Sequence, residues 1–268
     1  MNSAERGELN VRFNVEEYYG EIVQLGTGFN SMMNKIENLL QLVYTEQQQK
    51  RKAEIQSLQA QIKPHFLYNT LDTIRWMAED HDASDISKLV TALTTLFRIS
   101  LSKGKDIISL EQELEHVRSY LYIQKERYED KLNYTIVCDP ALYRCEITKL
   151  VLQPLVENAI YHGIKQKKEG GHIRIEVKKD DEKKGPLRIC ISDTGAGMSE
   201  KECQRINKAL ADYSAREYTE GYGLFNVNNR IRLTYGNDYG LHYRRNDEGG
   251  ITVILSIPFI TRPRGKKC

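Results

Sequence analysis

Apolar residues at spacings of three and four run through the first third of the chain: Ile22, Leu25, Phe29, Met32, Ile36, Leu39 and Val43, then, past the polar run QQQKRK at 47–52, Ile55, Leu58 and Ile62. That period predicts a long helix with one narrow apolar seam. A lone helix cannot bury such a seam, so a parallel dimer in a coiled coil is the economical arrangement, with 47–52 read as a stutter. The helix is predicted to continue past Trp76 and stop near His81 to Ala83. Ser84 can then cap a second helix whose apolar face is Ile86, Leu89, Val90, Leu93, Leu96, Phe97 and Leu101. Two antiparallel helices joined by a short loop and doubled by a partner chain predict a four-helix bundle, which Gly104 ends.

Downstream the period changes. Ser109 and Gln112 form a capping box that opens a helix to about Tyr128. Strands are predicted at Leu132 to Val137, Ile173 to Lys178, Leu187 to Ser192, Leu241 to Arg245 and Thr252 to Ile257, with helices around Ile147 to His162 and Leu224 to Leu233. Helices that do not alternate strictly with strands indicate an α+β two-layer sandwich, not a doubly wound parallel sheet. The chain is thus multidomain: an all-α coiled coil over 1–45, a helical hairpin over 46–104 and the sandwich over 105–268.

Composition narrows the function classes. With 268 residues and 40% hydrophobic content, the chain can fill one large core or two ordinary ones. Its 39 basic and 37 acidic residues are mixed throughout, with a short basic tail at Arg262, Arg264, Lys266 and Lys267, so no nucleic-acid footprint is expected. Five cysteines without CxxC spacing argue against a disulfide framework and for reduced thiols in the cytosol. No apolar run approaches the roughly 18 residues needed to cross a bilayer, and there is no signal-peptide pattern, so this stretch reads as soluble.

Within SLQAQIKPHFLYNTLDTIRW, residues 57–76, His65 lies at the edge of the stripe formed by Leu58, Ile62 and Phe66. Pro64 lacks an N–H and loosens a helix passing through it, and Asn69, four residues on, shares the face of His65. A single histidine beside a core stripe is ordinarily a solvated or packed ring. Its meaning depends on three motifs farther along. In LVLQPLVENAIYHG, residues 150–163, Asn158 and His162 share a helical face with Glu157 adjacent, and an amide oxygen is a neutral ligand suited to Mg2+. In ISDTGAGM, residues 191–198, a strand ends in Asp193, a carboxylate able to accept from the exocyclic amine of adenine, while Gly195 and Gly197 allow close approach of the backbone. In EGYGLFNVNNRIRLTYG, residues 220–236, Gly221 and Gly223 precede a helix whose first N–H groups form an anion site. Each motif alone also describes an ordinary helix, turn or tight connection.

In this order and spacing the three resemble the N, G1 and G2 boxes of the GHKL superfamily of ATP-binding domains, with Leu224 and Asn226 falling in the G2 box beside Gly221 and Gly223. Neither a P-loop nor a Rossmann fingerprint is present. The polar stretch between Met198 and Glu220 would be the lid over the nucleotide. LQAQIKPHFLYNTLDTI in turn resembles the phospho-acceptor segment of LytS/YesM-type sensor histidine kinases, and GELNVRFNVEEYYGEIVQLGTGFNSM resembles the second half of a HAMP linker. The resemblance covers about residues 8 to 260. It implies ATP and Mg2+ as cofactors, autophosphorylation of His65, transfer to an aspartate of a response-regulator receiver domain, and a homodimer. It also implies a place on the cytoplasmic side of the cell membrane, with transmembrane and extracytoplasmic sensor segments beyond this chain. Asn69 would orient a phosphatase water. Two positions depart from the wider pattern: Phe66 follows His65 where many histidine kinases have an acid, and Tyr161 stands where a basic residue is frequent. Two alternatives share the nucleotide fold: a GHKL conformational ATPase, against which stands Pro154 in place of the water-activating glutamate, and a non-catalytic dimeric scaffold, which predicts loss of motif residues that are all present.

Overall fold

The computed structural model of the protein describes residues 19–21, 23–36, 38–39, 46, 64–101, 106–167, 169–180, 185–211 and 222–261. The chain divides into two compact units, 1–65 and 66–268. In the first, residues 23–36 are helical, and Leu25, Met32 and Leu39, spaced by seven, are 78%, 53% and 53% exposed in the single chain. Ile22, Val43, Ile55, Leu58 and Ile62 of the predicted seam, the 47–52 stutter and Gly104 lie outside the described residues.

Helix α1 (Pro64–Asp80) and helix α2 (Ser84–Ser100) make the predicted hairpin. Its turn is closed by the backbone: Asp82 takes a left-handed φ of 55° and the Ala83 amide donates to the Ala78 carbonyl at 2.8 Å. Aspartate accepts that conformation more readily than most residues. The predicted cap by Ser84 is not realised. Ala83 precedes the first turn, and the Ser84 hydroxyl, already on the helix, meets Asp85 at 3.4 Å. The helices run antiparallel, with the Tyr68 hydroxyl donating to the Phe97 carbonyl and the Ser87 hydroxyl to Glu79. Leu71, Ala78 and Val90 are buried, whereas Phe66, Trp76, Met77 and Ile86 are more than half exposed.

The sandwich follows in the order β1 (Ile107–Ser109), α3 (Leu110–Tyr128), β2 (Leu132–Cys138), β3 (Glu146–Thr148), α4 (Leu152–Asn158), β4 (Gly171–Lys179), β5 (Leu187–Asp193), α5 (Glu200–Ala211), α6 (Tyr222–Tyr235), β6 (Gly240–Arg245) and β7 (Ile251–Ile257). The capping box of α3 forms as read, the Ser109 hydroxyl accepting from the Gln112 amide at 3.3 Å while the Gln112 side chain accepts from the Ser109 amide at 3.2 Å. Five strands form one sheet in the order β2-β4-β5-β7-β6, with β2 parallel to β4 and the other pairs antiparallel. Alternation puts Ile173, Ile175 and Val177 of β4, Leu187, Ile189 and Ile191 of β5, and Val253, Leu255 and Ile257 of β7 in the core, packed with Leu114, Val117 and Leu121 of α3. Their neighbours Arg174, Lys178 and Arg188 face solvent. One solvated face makes the two-layer sandwich.

Strands β1 and β3 pair antiparallel and were not predicted. Ile147, read as the start of a helix, instead lies in β3. The chain then breaks at Leu150, whose φ is 58°, and the helix begins at Leu152. Among the described residues no helix is long and apolar enough to cross a membrane, and Cys138, Cys145, Cys190 and Cys203 are free thiols.

Candidate nucleotide site

Asp193 is placed by simple periodicity. Residues 187, 189 and 191 of β5 point to the helix layer, and the next residue of that row is a carboxylate, 5% exposed, at the strand end. Its Oδ1 accepts the Gly195 amide at 2.8 Å. Burial pushes its carboxyl above the ordinary range, while amides of Gly195 and Ile251 and the Lys167 ammonium pull the other way.

Helix α4 brings Asn158 to the same place. After Asn158 the helix widens into a π turn over Ala159–Gly163, a feature frequent at functional sites. Asn158, His162, Gly163, Asp193, Gly197 and Tyr243 line one small cleft of about 60 Å³, whose apolar walls include Ala159, Met198, Ile251 and Val253. The Tyr243 hydroxyl is buried with no hydrogen-bond partner among the described residues. Asp193, Asn158 and Tyr243 thus line one slot with apolar walls, and their side chains carry a carboxylate, an amide and a hydroxyl, group types a purine base calls for.

The glycines make room where a side chain would not fit. A Cβ on Gly163 would stand 2.8 Å from Asp193 Oδ1, and one on Gly195 would run into the Gly163 backbone. Gly197 has a φ of 69° beside the Gly249 carbonyl. Asn246 clasps the back of the site, donating to the Asp193 carbonyl at 2.8 Å and accepting the Gly250 amide at 2.9 Å.

Not every predicted residue reaches the cleft. Glu157 is turned aside, accepting from Gln153 at 2.8 Å and hydrogen-bonded to Tyr120. Gly223, Leu224 and Asn226 occupy the first turns of α6 and are not among the described lining residues; Gly221 lies outside the described residues. The stretch read as a lid begins as helix α5, capped by Ser199 and Glu202 and burying Cys203, Ala209 and Leu210. Asn207 of that helix pairs with both backbone groups of Tyr243 at 2.8 Å, so this half is part of the packed layer. Residues 212–221 lie outside the described residues. His65 and Asn69 stand exposed on α1, one turn apart.

Sequence reasoning missed Tyr243, Asn246 and Glu113. Tyr243 carried a signal, its inward place on β6 two residues after Leu241. Glu113 carried one too: it falls on the stripe of Leu110, Leu114, Val117 and Leu121, is 0% exposed, and accepts the amides of Leu150, Val151 and Leu152, each at 2.9 Å. Burial pushes its carboxyl up, against the pull of those three amides and of Arg230.

Comparison with known proteins identifies the family. Residues 53–132 match the histidine kinase family model, and residues 147–261 match the model described as histidine kinase-, DNA gyrase B-, and HSP90-like ATPase. The chain is 36% identical over 252 residues to the sensor histidine kinase YesM of Bacillus subtilis, covering 94% of this chain and 41% of that protein. It is 34% identical to the sensor protein LytS of Streptococcus mutans, covering 88% and 37%, and 31% identical to the sensor histidine kinase BtsS of Escherichia coli, covering 77% and 34%. The chain thus spans less than half the length of these relatives. The two family models follow one another along the chain and the relatives at 34–36% identity are YesM and LytS, so the chain belongs to the LytS/YesM-type sensor histidine kinases.

Proposed function

We propose that this chain is the catalytic portion of a two-component sensor histidine kinase that binds ATP with Mg2+, phosphorylates His65 and passes the phosphoryl group to an aspartate of a response-regulator receiver domain. The observation that carries this reading is the buried Asp193 lining one apolar-walled cleft together with Asn158 and Tyr243. The nucleotide, when bound, supplies the phosphoryl group. Asp193 and the Tyr243 hydroxyl hold the base, and the glycines at 163, 195 and 197 keep the walls free of side chains. The amide oxygen of Asn158 suits a Mg2+ shared with phosphate oxygens, and His162, with the G2-box residues Gly221, Gly223, Leu224 and Asn226, is assigned to the phosphate side. Glu157, held by Gln153, is assigned to orienting the helix and not to water activation.

His65, exposed on α1, offers a ring nitrogen as nucleophile. Dimerisation would cover the apolar residues the hairpin leaves in solvent, Phe66, Trp76, Met77 and Ile86. Regions 1–45, 46–104 and 105–268 serve as signal-transmitting coiled coil, phospho-acceptor hairpin and ATP-binding domain on the cytoplasmic face of the membrane. The test is labelling with γ-phosphate-labelled ATP: the parent takes up acid-labile phosphate, and His65→Gln takes up none while still binding a fluorescent ATP analogue. Acid-labile phosphate persisting in His65→Gln would overturn the assignment.

A further inference from the structure

The entrance to α4 is irregular and tightly held. Leu150 sits at a φ of 58°, a conformation a β-carbon disfavours, and the helix that follows has seven residues and no side-chain cap of its own. So short a helix does not hold itself. Two side chains from distant elements fix the entrance instead. The Glu113 carboxylate accepts the Leu150 amide on Oε2 and those of Val151 and Leu152 on Oε1. From α6, Arg230 donates to the Lys149 carbonyl at 2.9 Å. Pro154, with no N–H, leaves one donor fewer to satisfy in the first turn. A fully buried carboxylate is costly unless its charge is met by donors, and here it is spent wholly on the segment that leads to Asn158.

We propose that Glu113 is a positioning residue for the nucleotide site: its carboxylate fixes the entrance of α4 and so sets how deep and at what rotation Asn158 faces the cleft. The inference rests on the nucleotide reading above and adds a residue that touches no part of the cleft. Glu113→Gln preserves size and one acceptor oxygen but turns an NH2 against one of the three amides, leaving opposed buried donors. Affinity for a fluorescent ATP analogue falls about tenfold, and hydrogen exchange at residues 150–152 accelerates in the nucleotide-free protein. Arg230→Ala, which frees the same segment from the other side, gives a loss of about threefold. Val177→Ala, a core truncation at the end of β4 away from Asp193, lowers the melting temperature and keeps the parent's affinity. Parent affinity in Glu113→Gln and Arg230→Ala, or equal losses in Val177→Ala, would make Glu113 a stabilising cap only and overturn the proposal. Should the parent itself not bind the analogue, the nucleotide reading fails, and the positioning role with it.

Discussion

His116 ties the end of the hairpin to the sandwich, and its titration offers a quantitative test of that junction. It is 0% exposed on α3, one turn past Glu113. Its Nε2 lies 3.0 Å from the Ser100 hydroxyl at the last residue of α2, and its Nδ1 is buried without a partner among the described residues. The Lys149 ammonium donates to the Ser100 carbonyl at 3.3 Å. Burial first, and the Lys149 charge second, hold the imidazole down to about 4 from the ordinary 6.5. In the unfolded chain the ring takes a proton near 6.5; in the folded protein it resists until about 4. Between those values the unfolded state binds more protons, so stability falls as pH falls. At about 1.4 kcal/mol per pH unit, the loss attributable to His116 between pH 7 and pH 4.5 is about 2 kcal/mol. His116→Gln retains an amide for Ser100 and does not titrate; the carboxylates of α3 are common to both proteins and drop out of the difference. Urea unfolding followed by circular dichroism at both pH values should show the parent losing about 2 kcal/mol more than His116→Gln. Parallel losses would refute the claim that the junction buries a neutral imidazole.

The nucleotide cleft yields further expectations. Asp193→Asn weakens ATP binding itself, whereas Asn158→Asp lowers autophosphorylation in a way that raised Mg2+ or Mn2+ partly restores; unchanged ATP affinity in Asp193→Asn would show that the carboxylate does not touch the base. Because the Asp193 carboxyl is held above the ordinary carboxylate range, parent ATP affinity should decline on acidification at a higher pH than an exposed aspartate would give, and Asp193→Asn should flatten that decline in a binding titration. Gly163→Ala sets a β-carbon 2.8 Å from Asp193 Oδ1 and should lower both ATP affinity and stability, the latter by about 1–3 kcal/mol in thermal unfolding.

Much of the architecture was determined by local pattern. The apolar period gave α1 and α2, the Ser109 and Gln112 box fixed the start of α3, and alternation along β5 already placed Asp193 on the row of Leu187, Ile189 and Ile191. These signals are legible because each depends on residues within a turn or a few pleats of one another. Tertiary structure decided the rest. The strand order β2-β4-β5-β7-β6 depends on crossovers that no periodicity encodes. Strands β1 and β3 have three residues each, too few to alternate recognisably, and Ile147 joined β3 because Ile108 lies opposite it. The place of Glu113 on an apolar stripe was visible, but its partners at 150–152 lie more than 35 residues away. Only folding brings their unpaired amides to it, because a buried carboxylate and the open end of a short helix each need what the other supplies.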